Sequence, residues 1–258
     1  MSQDLRALVT GASAGIGSEF ARQLRARGRR LVLVARREER LRAQQQELGG
    51  AEAVAVVPVD LGAADAPGQV SEALRRLGLE VELLVNNAGL GYTGRFHEAS
   101  AERLTQLCAV NVGAVVGLTR LLLPGMVARR AGAVINVASV AGLQPVPFFS
   151  AYAASKAFVV SFSAALSAEL RGSGVQVQLL CPGPTQSEFF DAAPHEGLLA
   201  NHLPRASPRQ VVTASLRGLD RRRERVVVGL PNQLLAGAVR VLPGGLVRAV
   251  AAALYRPR

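Results

Sequence analysis

The sequence has no tryptophan, two cysteines, three tyrosines and, among 30 basic residues, a single lysine. Cys108 and Cys181 sit in apolar surroundings without metal-ligand spacing, which excludes a disulfide-stapled scaffold and a zinc finger; both are expected as core thiols. No run approaches the roughly 18 consecutive apolar residues of a membrane span, because charge, Pro or Gly breaks every candidate. The opening residues carry no signal-peptide pattern, since Asp4 leads at once into a strand-like run, and the expected location is cytoplasmic. His97, His195 and His202 show no partner spacing, so no metal site is expected.

Aromatics are equally scarce, at 4% of the chain, and this decides how a net charge of +11 is read. Such a basic excess suits a nucleic-acid binder. Yet the densest run, Arg221, Arg222, Arg223 and Arg225, has no aromatic interleaved for base stacking, and no helix-turn-helix pattern accompanies it. It is expected to be a solvated turn before a strand, with no nucleic-acid partner. The arginines remain able to attract anionic ligands or lipid surfaces. Beside 29 arginines the one lysine, Lys156, is conspicuous, because arginine supplies neither a compact ammonium nor a tunable pKa.

What is present is a 49% hydrophobic chain in which short Val/Leu-rich runs alternate with longer segments of helical period. Strands are expected at Arg6–Thr10, Arg30–Ala35, Ala53–Val59, Leu83–Asn86, Ala133–Ala138, Val175–Cys181 and Arg225–Val228. Helices are expected at about Ile16–Arg27, Arg37–Leu48, Ala101–Leu123 and Ala151–Arg171. Ser207, Pro208 and Gln210 have the form of an N-cap, an N1 proline and a capping-box partner. The pattern predicts an α/β, Rossmann-type, doubly wound parallel sheet of about seven strands with helices on both faces. Residues 1–229 are expected to form one dinucleotide-binding and catalytic domain, followed by an amphipathic extension over 230–258.

After the first strand, Thr10-Gly11-Ala12-Ser13-Ala14-Gly15-Ile16-Gly17 leads into a helix. Glycines at 11, 15 and 17 permit a tight turn, close approach to a pyrophosphate and close helix packing, while the helix start offers unpaired N–H groups. The spacing is GxxxGxG rather than GxGxxG. At the end of the second strand, where an acidic residue would bind a ribose 2′-OH, the chain reads Val34-Ala35-Arg36-Arg37. Two guanidiniums replace that acidic residue and Arg36 is the expected ligand of a 2′-phosphate, so NADP(H) is predicted over NAD(H); the other reading of Arg37 is the solvated start of the following helix.

Tyr152 and Lys156 stand four apart on one helix face, where an ammonium beside a phenol is expected to lower the phenol's pKa. Ser139 ends the fifth predicted strand and places a hydroxyl at its carboxyl end, where open α/β sheets bind ligands. At this point the sequence resembles the short-chain dehydrogenase/reductase family, from about Arg6 to about Phe189. The resemblance rests on TGASAGIG at 10–17, Asp60, NNAG at 86–89, Asn111, Ser139, the YxxxK at 152–156 and PGPT at 182–185.

The resemblance implies hydride transfer between nicotinamide and a carbonyl or alcohol. Tyr152 would be the general acid or base, Ser139 the partner of the substrate oxygen, Lys156 the ribose ligand and Asn111 the anchor of a water. It places Gly11, Ser13, Gly15, Ile16 and Gly17 on the phosphates and Asp60 near the adenine. Asn86, Ala88 and Gly89 would line the ribose side, with Pro182, Gly183 and Thr185 at the nicotinamide. A homo-oligomer is a further implication. The alternative function is a non-catalytic dinucleotide-binding sensor or scaffold.

Leu143, Gln144, Val146, Phe148, Phe149, Phe189 and Phe190 flank the site in sequence and favour an apolar substrate. Residues 230–255 are expected to form two short amphipathic helices, packed on the domain, on an oligomer neighbour or on a membrane surface.

Overall fold

The computed structural model describes residues 5–186, 205–239 and 241–256. Phe189, Phe190, His195 and His202 lie outside that set. In chain order the first half contains β1 (Leu5–Thr10), α1 (Gly15–Ala26), β2 (Leu31–Ala35), α2 (Glu38–Glu47), α3 (Gly50–Ala53), β3 (Val54–Pro58), α4 (Ala66–Arg76) and β4 (Glu80–Asn86). Then come α5 (Ala101–Cys108), a π-helical turn (Ala109–Gly113), α6 (Ala114–Ala128), β5 (Gly132–Val137), α7 (Ser150–Glu169) and β6 (Val175–Cys181). The remaining elements are α8 (Pro208–Asp220), β7 (Arg225–Val227), α9 (Leu230–Ala238) and α10 (Gly244–Tyr255).

The seven strands pair in parallel in the order β3-β2-β1-β4-β5-β6-β7, the architecture expected from the sequence. Alternation along each strand feeds two cores. Ala7, Val9, Leu31 and Leu33 join α1 and α8 on one face, while Leu8, Val32, Val34 and Leu84 join α4 and α6 on the other. Burial of each such leucine or valine contributes about 1.5–3 kcal/mol. The chain order reverses between β1 and β4, so their carboxyl ends open into a crevice.

Several boundaries differ from the sequence reading. β4 starts at Glu80 because Leu5 and Arg6 pair with Glu80 and Val81 across a register shift. The helix starting at Ala101 passes Pro124 and ends at Ala128, interrupted by the π turn around Asn111. Cys181 is buried as expected, but Cys108 is exposed. The capping box is present: Gln210 N donates to Ser207 Oγ at 3.2 Å, and Ser207 N donates to Gln210 Oε1 at 2.9 Å. The stretches Ala101–Ala128 and Ser150–Glu169 are long and apolar enough to cross a membrane by length and composition alone; here both pack against the sheet.

Candidate active site

β1 and β4 are knitted together where they diverge. Thr10 Oγ1 accepts from Asn87 N and Ala88 N at 2.9 and 3.0 Å, and Asn87 Nδ2 donates to Thr10 O at 2.9 Å. Gly11 follows at φ +62°, where a Cβ would stand 2.9 Å from the Ala88 Cα. A Cβ at Gly17 would lie 2.2 Å from Gly11 O, so Gly17 lets α1 seat beneath the loop and does not itself face the crevice. Gly11, Ser13, Gly15 and Ile16 line a cleft of about 950 Å³. The N-cap of α1 is Ala14, with no side-chain cap and no acidic residue in the first turn. The helix therefore begins at the cleft with N–H donors that no side chain satisfies, a ready site for a phosphate.

Arg36 and Asp60 face the same cleft, with Arg36 Nη1 3.9 Å from Asp60 Oδ2. Asp60 Oδ1 also accepts from Gly62 N at 2.9 Å, which fixes the carboxylate in its turn. Arg37 is more than a solvated helix start. Its Nε and Nη2 donate to Ser13 Oγ at 3.3 and 3.1 Å, folding a second guanidinium over the glycine loop.

Ser139, Tyr152 and Lys156 converge on the other part of the cleft, with Ala88, Gly89, Pro182, Gly183 and Thr185. A strand end supplies Ser139 and one face of α7 supplies the other two. Lys156 Nζ donates to Val137 O at 2.9 Å and lies 5.8 Å from the Tyr152 ring centroid. The expected lowering of the tyrosine pKa is not what this arrangement gives. Burial pushes the Tyr152 phenol well above its usual range, the hydrogen bond with Ser139 works in the opposite direction, and Tyr255 adds to the rise. Burial also lowers the Lys156 ammonium to about 8. Desolvation is the largest cause for both groups, so burial favours the neutral form of each.

Besides Gly17, two expected site residues sit behind the cleft wall. Asn86 is inside the sheet, where its Nδ2 donates to Thr119 Oγ1 at 3.1 Å and to Asn136 Oδ1 at 2.9 Å; its neighbour Asn87 lines the cleft instead. Asn111 is fully buried in the π turn. Its Nδ2 donates to Leu90 O and Ser155 Oγ at 3.0 and 2.9 Å, and its Oδ1 accepts from Leu90 N at 2.8 Å. Asn111 thus ties the Gly89–Leu90 segment to the helix that carries Tyr152 and Lys156. A Cβ on Gly89 would stand 3.4 Å from both Asn111 Oδ1 and Lys156 Nζ, which shows how closely these groups approach.

The wall beside Tyr152 is aromatic. Phe149 stacks on Tyr152 with centroids 4.3 Å apart, and Tyr255 of α10 stacks on Phe149 at 5.5 Å. Tyr92 packs into the same cluster, so all three tyrosines of the chain meet there. Phe148 precedes this stack at φ +63°, a strained value for a bulky residue, with its carbonyl accepting from Gly94 N at 2.8 Å. Of the five residues expected before Tyr152 to shape an apolar site, only Phe149 lines the cleft; Val146 supports it and Leu143 packs in another cluster.

The family model for short chain dehydrogenase matches residues 6–196. The chain belongs to the short-chain dehydrogenase/reductase family. It is 34% identical over 253 residues to dehydrogenase/reductase SDR family member 7B of Bos taurus, spanning 93% of this chain and 78% of that protein. It is also 34% identical over 221 residues to a very-long-chain 3-oxoacyl-CoA reductase of Phaeosphaeria nodorum; this spans 83% of the chain but 63% of that relative, less than two thirds of its length. A short-chain dehydrogenase from Sphingobium yanoikuyae in complex with NADPH superposes with a TM-score of 0.79 at 33% identity, covering 94% of both chains. One from Burkholderia phymatum in complex with NAD superposes at 0.83 with 28% identity, covering 95% of both.

This short-chain dehydrogenase/reductase has a cleft that fits a nicotinamide dinucleotide. The uncapped helix start meets a glycine turn that admits no Cβ, with Arg36 and Asp60 on one side and Tyr152 and Lys156 on the other. Asn87 and Tyr255 are contributors that the sequence reading does not name, and Arg37 is one that it leaves as a solvated helix start. No local pattern points to Tyr255, which lies over a hundred residues from Tyr152; the scarcity of tyrosine was the one available signal.

Proposed function

We propose that this protein is an NADP(H)-dependent carbonyl reductase, able to run as an alcohol dehydrogenase, for an apolar substrate. The carrying observation is Tyr152, buried and bonded to Ser139, in one cleft with Lys156 and the glycine loop. Bound there, the dinucleotide supplies hydride from its nicotinamide ring. Gly11, Ser13, Gly15 and Ile16 hold the pyrophosphate, Asp60 sits toward the adenine, and Pro182, Gly183 and Thr185 flank the nicotinamide. Arg36, with Arg37 beside it, meets a 2′-phosphate, which favours NADP(H).

Ser139 donates to the substrate oxygen and Tyr152 delivers its proton there as negative charge develops. Lys156 holds the ribose, and its positive charge favours the phenolate left after transfer. Asn111 positions α7 and the Gly89–Leu90 segment. The Tyr152–Phe149–Tyr255 stack favours an apolar carbonyl compound, in keeping with the long-chain substrate in the name of the Phaeosphaeria nodorum relative. We place the enzyme in the cytoplasm as a homo-oligomer, with a second copy covering the outer faces of α6 and α7 where Leu121, Val127 and Phe158 are exposed.

NADPH absorbance followed across a panel of ketones, aldehydes and alcohols tests the reading. Tyr152→Phe is expected to lower kcat by about 100-fold or more while coenzyme binding persists. Full turnover by that variant would overturn the assignment.

A further inference from the structure

Twelve large apolar side chains are exposed among the described residues, and seven of them fall between Leu230 and Val250. They are not the underside of α9 and α10. On α10 the buried Val247 and Ala251 make the inner face, which continues to Tyr255 in the aromatic cluster. Leu246, Val250 and Ala253 follow at the i, i+4 and i+7 positions of the opposite face and point outward, with Leu246 and Val250 just over half exposed. Val241, in the turn before α10, is 83% exposed.

Charge identifies the partner. From residue 225 onward the sequence contains five arginines and no Asp or Glu, and Arg248 and Arg256 flank the helix on the exposed side of the fold. A second copy seated by two-fold symmetry would bring this segment against its own counterpart, which supplies arginines and no carboxylate to pair with them. An anionic bilayer offers acyl chains to the leucines and valines and phosphates to the guanidiniums.

We propose that the outer face of α10, with the turn before it, docks this protein on anionic lipid bilayers. The same helix carries Tyr255 into the cleft, so docking sets the aromatic wall of the site near the membrane surface.

The test is co-sedimentation of the full chain with phosphatidylcholine vesicles, with and without phosphatidylglycerol. The unaltered protein is expected to partition at least about tenfold more strongly onto the anionic vesicles, and less as salt rises. Leu246→Glu is expected to reduce that partitioning about tenfold. Leu77→Glu, at the end of α4, is the matched control, since Leu77 and Leu246 are both 52% exposed. It changes the net charge equally and is expected to leave binding within about twofold. Circular dichroism and thermal melting check that each variant is folded, and Arg248→Gln/Arg256→Gln provides a second route that leaves the apolar face intact. Failure to bind anionic vesicles overturns the proposal, as does equal loss in the Leu77 and Leu246 variants. So does a Leu246→Glu chain that becomes monomeric from a dimer whose vesicle binding never depended on residue 246. None of these readouts involves the reductase reaction, so failure here leaves the catalytic reading standing.

Discussion

Replacing Arg36 tests the coenzyme preference most directly. A hydrogen bond to a charged group contributes about 1.5–3 kcal/mol, and the lower end applies because the Arg36 side chain is 56% exposed and screened by solvent. Arg36→Ala is therefore expected to lower the NADPH-to-NADH ratio of kcat/KM about tenfold, since each 1.4 kcal/mol is a factor of ten. Arg36→Asp adds repulsion between a carboxylate and the 2′-phosphate, worth roughly 1 kcal/mol more near a surface, which brings the loss to about 50-fold. Arg37→Ala is expected to cost less on its own, because that guanidinium already spends donors on Ser13. The double variant should fall short of the product of the singles, the two sites being adjacent. Initial rates with each coenzyme, at fixed ketone and two ionic strengths, give the ratio. The preference should narrow as salt rises, and kcat/KM with NADH should stay within about twofold in Arg36→Ala. An unchanged ratio in Arg36→Asp would refute the reasoning.

Three other outcomes follow from the same structure. Burial holds Lys156 at about 8, below the ordinary 10.5, so above pH 8 the unfolded chain binds the more protons and the burden of this buried ammonium eases as pH rises. Between pH 7 and 9 the stability gap between Lys156→Met and the unaltered protein should shrink by about 1 kcal/mol in urea titrations, and a constant gap would contradict it. The window stops at 9 because burial holds the Cys181 thiol and the Tyr152 phenol above their ordinary values; above that range both act with the opposite sign. Tyr255→Ala removes one ring of the stack and should raise KM for bulky apolar ketones about fivefold while leaving a small ketone's kcat within about twofold; parallel changes for both substrates would argue against it. Asn86→Ala should cost about 1–3 kcal/mol of stability by leaving Asn136 Oδ1 short of a donor, with NADPH affinity nearly unchanged. Lost affinity at full stability would place Asn86 in the cleft after all.

The sheet was legible because its strands are buried on both faces and read as unbroken Val/Leu runs, and β2 is buried at every position. α4 escaped notice because its first turn contains Pro67 and Gly68, which look like a loop until proline is recognised as acceptable there. Ser139, Tyr152 and Lys156 were readable from type and spacing, since a strand end and one helix face fix where they go. The protonation of Tyr152 was not, because spacing reveals a charged neighbour but not how much water is excluded from both groups. Asn86 and Asn87 show the limit of motif reading in another form. They are adjacent in one strand end, so pleating sends one into the sheet and leaves the other at the cleft.

The π turn at Ala109–Gly113 has a consequence for how this protein tolerates change in length. A helix of ordinary pitch advances about 100° per residue, so the extra residue in that turn sets the phase between α5, which offers Arg103 and Gln106 to the cleft, and α6, which covers the sheet with Leu118 and Thr119. Deleting one residue there would let the helix relax into a regular spiral with that phase kept, whereas closing the turn with every residue retained would rotate one half against the other. In the second case every reacting side chain would remain in the sequence, and the enzyme would still be mis-timed, like a gear set one tooth out.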